Sequence, residues 1–323
     1  MTQEQHIAPP VIGATQVNRP ARHTSTGFAV WLVLRRVLNY TLMSFIAFLM
    51  IFPFLWMVAT TFKSPDYLFQ LPPSIIPDKI YEDGVWFQEG VWSNYTVLFT
   101  EFNFARYTYN TFYVATMAAI GQLLTSSLAG FAFARLEFRG KNVWFGLLLA
   151  TALVPIEVTI IPEFLLALKV FDPVFEFFGS QWIDSFNPLI VPSFFVGTTG
   201  TFLLREFFST IPRDLEESAV IDGASVFQIY RHIYLPLSVP AMTTLFLLAF
   251  ITNWNTLLRA IIYINSPDLR TLPLGLTAFQ GEYSSQWNLL MSGSVVTILP
   301  LVIIYILLQR YITEGIATTG LRG

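Results

Sequence analysis

The sequence predicts an all-α integral membrane protein with six transmembrane helices, and three observations carry that expectation. Of 323 residues, 54% are hydrophobic and only 12% are charged, about half the charged share of an ordinary soluble domain. Aromatic residues make up 16% of the chain, with 31 Phe, and the mean hydropathy is +0.57, the composition of a chain whose solvent is largely lipid. The third observation is length. A bilayer core about 30 Å thick takes roughly 20 apolar residues in a helix, and runs of that size recur along the chain. The same composition excludes other classes. A net charge of −3 gives no reason to expect a nucleic-acid partner. Without cysteine there is no disulfide, thiol nucleophile or Cys-based metal site. The three His, at positions 6, 23 and 232, stand in separate settings, so no metal site is expected.

The elements follow in order. Residues 1–34 hold Glu4, Pro9, Pro10 and Pro20 and lack the basic start, apolar stretch and small-residue cleavage site of a signal peptide. A flexible cytoplasmic tail is expected there, followed by an uncleaved first span, Val37–Phe62. The connection over 63–106 sets three basic residues against Asp66, Asp78, Glu82, Asp83, Glu89 and Glu101 and is rich in Pro and Trp, so it is expected outside. The second span, Tyr107–Ala134, repeats Ser126, Gly130 and Ala134 every four residues. That is either a helix-packing seam or the ordinary abundance of small residues in membrane helices. The third run, Asn142–Leu168, carries Glu157 and Glu163 and is interrupted by Pro155 and Pro162, which remove backbone donors. Ser185–Leu204, Ile233–Leu258 and Tyr283–Gln309 complete the set. Arg19, Arg22, Arg35 and Arg36 precede the first span, while Arg135, Arg139 and Lys141 crowd the short second connection. The preference of cationic loops for the cytoplasm then puts both termini inside, in accord with Arg310 and Arg322.

Between the fourth and fifth runs lies a segment, 205–236, too polar for lipid and too long for a simple turn. Asp214 with Glu217 has helix-capping spacing, for a helix running from Leu215 to Gly223. Ser225 with Gln228 opens a second helix that carries Phe227, Tyr230 and Tyr234 on one face and stops near Pro236. Two short helices at an angle, fringed by Glu206, Asp214, Glu216, Glu217 and Asp222, suggest a protein-docking surface. The alternative is an amphipathic connector lying on the membrane, against which the acidity counts, since anionic lipid would repel it.

This segment resembles a known family. Glu217-Ser218-Ala219, then Gly223, Ile233 and Leu235-Pro236 are similar to the cytoplasmic loop signature of permease subunits in binding-protein-dependent ABC importers, with Ser218 replacing the usual Ala. Phe52-Pro53-Phe54 to Phe62-Lys63-Ser64, Ala129 to Arg135, Ile160-Ile161-Pro162, Arg270-Thr271-Leu272-Pro273 and the tail from Gln309 to Gly323 resemble the carbohydrate-uptake branch. The resemblance runs from about Arg35 onward and implies a six-span permease domain over 35–323. It implies that 205–236 docks on a cytoplasmic ATPase dimer through Glu217, Ser218, Ala219, Asp222, Gly223, Phe227, Tyr230, Ile233, Leu235 and Pro236. A second permease, forming a heterodimer, and an extracytoplasmic solute-binding protein are the other implied partners. Glu217 suits a bidentate bond from Arg, Gly223 a backbone that Cβ resists, and Phe227 and Tyr230 an apolar pocket. Gly140-Lys141-Asn142 lacks the earlier Gly and the Ser or Thr of a phosphate-binding loop. No cofactor is therefore expected on this chain, ATP and magnesium belonging to the partner ATPase.

Two places suggest contact with a transported solute. Glu157 lies about 22 Å along the third run if that run is one helix, a depth at which an ionisable group marks either a function or a carboxyl supporting the proline irregularity. Asn253, Trp254 and Asn255 join amides to an aromatic ring, suited to hydroxyl-rich ligands; interhelical hydrogen bonding by the amides is the plainer reading. A sugar or polyol is the expected solute. The rival class, a self-sufficient secondary carrier or channel, needs coupling charges within the spans, and beyond Glu157 there are almost none.

Overall fold

The structure, a computed structural model, describes residues 26–65, 68–75, 92–280 and 286–320. Residues 1–25 of the expected tail, the loop acids Asp66, Asp78, Glu82, Asp83 and Glu89, the start of the last run at Tyr283, and Arg322 with Gly323 lie outside them. The chain divides into two units, one ending at Phe54 and one starting at Leu55. The first unit holds most of helix α1 (Thr26–Thr61), which begins inside the stretch expected as a tail. There the Arg35 guanidinium lies 5.5 Å from the Trp31 ring centre, and the Phe48 and Phe52 rings pack 5.8 Å apart.

Among the described residues, the second unit is helical wherever it is regular. After α2 (Ser93–Thr100) comes the long α3 (Phe104–Arg135), then α4 (Lys141–Thr151) and α5 (Ile156–Leu166). A π-type stretch over Ala167–Phe171 leads into α6 (Asp172–Phe177). Helix α7 (Asn187–Ile190) and α8 (Thr198–Thr210) follow, then α9 (Arg213–Ile221) and α10 (Val226–Ile229), with a second π-type stretch (Tyr230–Tyr234) running into α11 (Leu235–Leu237). The rest is α12 (Val239–Trp254), α13 (Leu258–Tyr263), α14 (Leu272–Leu276) and α15 (Trp287–Gly320).

Among the described residues, four segments are long and apolar enough to cross a bilayer: Val33–Thr61, Phe104–Arg135, Asn187–Thr210 and Trp287–Arg310. Two bent pairs raise the number to six if each is one span: Lys141–Thr151 with Ile156–Phe177, bent by 97°, and Val226–Leu237 with Val239–Trp254, bent by 78°. The first bend sits at Pro155, extended at φ −69° and ψ 143°, where the ring denies the next helix a donor. This corrects the depth assigned to Glu157. Its 22 Å presumed a straight rod, whereas Glu157 stands exposed in the first turn of a new helix.

Helix α3 organises the second unit, packing most extensively on α8 and α12. Lipid offers no hydrophobic drive between helices, so close approach and dispersion must hold them. The small residues do this. A Cβ on Gly200 would lie 2.4 Å from Ser126 Oγ, and one on Gly130 would lie 3.0 Å from the Arg205 nitrogen, so the seam expected along Ser126 and Gly130 is an interface with α8. Nearer the start of α3, Phe104, Tyr107, Phe250, Trp254, Leu272 and Phe279 form one buried cluster.

The same end carries a polar clasp made of loops. Asp172 Oδ1 accepts from the Trp182 and Ile183 N–H groups at 2.9 and 3.1 Å. Asp184, at φ +55°, accepts from the Asn265 and Ser266 N–H groups, both at 2.8 Å, and from the Ser266 hydroxyl. Asn110 of α3 donates to the Asp268 and Arg270 carbonyls at 2.8 and 2.9 Å.

Candidate functional site

The elbow over α9–α11 is built by two local devices. Helix α9 ends because Gly223, at φ +82°, takes the left-handed conformation. The Gly223 N–H then donates to the Val220 carbonyl at 3.0 Å and the Ala224 N–H to the Ala219 carbonyl at 2.9 Å. These paired bonds close a Schellman turn. A Cβ at Gly223 would meet nothing within 4 Å, so the requirement for glycine lies in the backbone angle and not in space. Two residues on, Ser225 forms the expected capping box: its backbone N–H donates to Gln228 Oε1 at 2.7 Å, and its hydroxyl accepts from the Gln228 N–H at 3.4 Å. The Asp214–Glu217 capping pair does not form. Pro212 takes the N-cap position at ψ 137° and α9 starts at Arg213, so Asp214 lies inside the first turn and cannot serve as the cap.

The outer face of the elbow is bare. Ile221 is 85% exposed, Phe227 62% and Val220 58%; Glu217, Ser218, Asp222 and Pro236 are exposed as well. Glu217 has no hydrogen-bond partner among the described residues. Ser218 donates back to the Asp214 carbonyl at 2.7 Å. An open cavity of about 360 Å³ is lined by Arg135, Arg213, Glu216, Glu217, Val220 and Ile221. Acids beside bare aliphatic and aromatic side chains make a surface suited to a partner that brings both a cation and an apolar knob.

The inner face is rooted. Ala219, Ile233 and Leu235 are half-buried against a cluster of Phe131, Leu204, Phe208, Tyr230, Tyr234 and Leu245. Tyr230 is a correction: its ring, expected as an exposed anchor, is buried, and its hydroxyl shares a 2.7 Å hydrogen bond with Ser127. Phe227 stays at the rim, its ring 6.1 Å from that of Tyr230.

The description of binding-protein-dependent transport system inner membrane components matches residues 122–317, elbow included. The chain belongs to this family. The permease is 34% identical over 273 residues to a putative ABC transporter permease protein of Caldicellulosiruptor sp., covering 84% of this chain and 91% of that one. It is 29% identical over 304 residues to the trehalose/maltose transport system permease protein of Thermococcus litoralis, covering 90% and 98%. It is also 29% identical over 283 residues to the arabinooligosaccharides transport system permease protein of Halalkalibacterium halodurans, covering 87% and 94%. Its fold is shared, at a TM-score of 0.69 and 21% identity over 89% of this chain and 98% of the other, with a chain of a bacterial ABC transporter involved in the import of the acidic polysaccharide alginate. The permease is thus a multi-pass inner-membrane subunit, with ATP hydrolysis on a separate subunit, and the self-sufficient carrier or channel is set aside.

The structure does not gather the suggested solute contacts of the permease at one place. Trp254 is 1% exposed and donates through Nε1 to the Thr297 carbonyl at 3.2 Å, so its ring ties α12 to α15 and offers no face to a ligand. Asn253 and Asn255 donate at 2.8 Å to the Ala249 and Ile251 carbonyls four residues back; the interhelical bond expected of the amides is made instead by the indole. Asn255 is exposed and Asn253 half-buried. Glu163, which shares the third run with Glu157, is paired with Arg259 at 3.0 Å. Of three residues now prominent at the elbow, Ser127 was not singled out, while Arg135 was read only as a cytoplasmic cation within a family-like stretch and Glu216 only as one of the fringing acids. Arg135 closes a long apolar helix as the cation of its last turn, the readable signal; the partners of Glu216 and Ser127, 18 and 103 residues away, leave none.

Proposed function

We propose that this permease forms half of the pathway of an ATP-driven importer for a sugar, oligosaccharide or related polyol. It crosses the membrane six times with both termini in the cytoplasm, each bent pair counting as one span. It pairs with a second, different permease. The elbow faces the cytoplasm and docks into an ATPase dimer that carries the ATP and magnesium, and a solute-binding protein delivers ligand outside. Alternation between inward- and outward-facing states follows closure of the ATPases. The observation that carries this reading is the elbow itself, bare on one face around an open carboxylate at Glu217 and rooted on the other by Tyr230 and Tyr234. The substrate class rests on relatives named for arabinooligosaccharides, trehalose and maltose, and sn-glycerol-3-phosphate.

The test is Glu217→Arg in the full transporter. The variant is expected to insert normally while the ATPase no longer co-purifies and uptake of labelled arabino- and malto-oligosaccharides falls at least tenfold, the loss for removing one buried charge-assisted contact of about 1.5–3 kcal/mol. Retention of the ATPase with undiminished uptake refutes the docking role.

A further inference from the structure

We infer that Tyr234, held between Arg135 and Glu216, is the positioning residue that passes displacement of α9 into α3. The inference rests on the docking reading above. Along α3, Ser127, Phe131 and Arg135 recur every four residues and so line one stripe. That stripe meets two tyrosines that are also four apart. Ser127 Oγ and Tyr230 Oη lie 2.7 Å apart, and the Phe131 ring lies 5.2 Å from that of Tyr230 and 5.0 Å from that of Tyr234. The Arg135 guanidinium sits 5.1 Å from the Tyr234 ring centre, while its Nη2 donates to the Phe208 and Ile211 carbonyls at the end of α8. Arg135 is thereby fixed on α8 and presents a flat cationic face to the tyrosine.

On its other side, the Tyr234 hydroxyl donates to Glu216 Oε2 on α9 at 2.9 Å. Helix α9 is flanked by Pro212 and by the left-handed Gly223, two points about which a short helix can pivot. A push on Ile221 or Glu217 tips it. The charge-assisted bond from Tyr234 turns that tilt into movement of a ring with no exposed surface, packed among Phe131, Phe208 and Arg135. A close-packed interior passes such a displacement on instead of absorbing it.

The plainer role for these residues is static: Arg135 caps α8 and Tyr234 fills space. Tyr234→Phe separates the two, since it keeps the ring and the Arg135 contact and removes only the hydroxyl. Because the chain has no cysteine, Leu128→Cys and Leu215→Cys, both at exposed positions on α3 and α9 and neither in the docking surface, can carry the chain's sole pair of spin labels in the full transporter reconstituted in liposomes with its ATPase. With Tyr234 intact, the distance between labels is expected to stay constant on adding a non-hydrolysable ATP analogue. In Tyr234→Phe it is expected to shift with the analogue, and stimulation of ATP hydrolysis by the binding protein to drop about tenfold, the scale of one hydrogen bond to a charged group. The ATPase stays bound, which sets this outcome apart from failure of docking as in Glu217→Arg. An analogue-independent distance together with full stimulation in Tyr234→Phe overturns the inference. So does loss of the bound ATPase, which would make the tyrosine part of the docking surface.

Discussion

The clasp near the start of α3 and the elbow at its end are both acidic, loop-rich connections, yet they treat their carboxylates in opposite ways. In the clasp, Asp172 and Asp184 spend their lone pairs on backbone N–H groups of this same chain, and the neighbouring Trp182, Tyr263 and Ile264 are buried. In the elbow, Glu217 keeps its lone pairs open beside bare Val220, Ile221 and Phe227. A polar connection that satisfies itself has nothing to offer a partner; one that leaves acceptors and apolar surface open requires one. Charge counted along the sequence does not separate the two. The distinction lies in where the hydrogen bonds go.

Removing Asp172 breaks the comparison most severely. Asp172→Ala leaves the Trp182 and Ile183 N–H groups without their acceptor, at a cost of about 2–3 kcal/mol. The melting temperature of the purified permease is expected to fall while the ATPase still co-purifies. Loss of the ATPase at unchanged melting temperature would make the clasp a docking surface too, and the contrast would fail.

Gly223→Ala acts at the elbow and more mildly. No neighbour obstructs the added methyl group, so the cost is the left-handed angle alone, about 1 kcal/mol. That is expected to lower uptake a few-fold and to lower the melting temperature by less than half as much as Asp172→Ala does. A drop in melting temperature as large as that of Asp172→Ala would show the turn to be as structural as the clasp.

What could be read from the sequence follows the reach of each signal. Local signals held: the Ser225–Gln228 capping box, glycine at the end of α9, and the small-residue seam of Ser126 and Gly130 all involve spacings of three or four residues. Pro155 was legible as an interruption, but not as a bend of 97°, and the depth of Glu157 failed with it. The four-residue spacing of Tyr230 and Tyr234 put them correctly on one face, yet periodicity does not say whether that face looks inward or outward. The partners that decide it, Ser127 and Phe131, are about a hundred residues away. Trp254 was misread for the same reason: the carbonyl that its indole needs belongs to Thr297, on a helix whose neighbour no motif names.

The smallest expected effect concerns acid. Burial works against ionisation of Asp184, but the hydrogen bonds from the Ser266 hydroxyl and from the Ser266 and Asn265 N–H groups outweigh it and hold its carboxyl below the usual range. A carboxyl lowered in the folded state contributes stability that is complete above its unfolded value, near pH 4, and is lost as pH falls through the folded value. The acid sensitivity that follows from this shift maps to Asp184 in the clasp. The melting temperature of the permease is expected to fall as the pH drops below about 4, and Asp184→Asn, which does not titrate, is expected to flatten that slope while lowering stability at neutral pH. If Glu217→Gln flattened it and Asp184→Asn did not, the self-satisfied and the open carboxylates would have exchanged places, and the contrast between the two ends of α3 would be wrong.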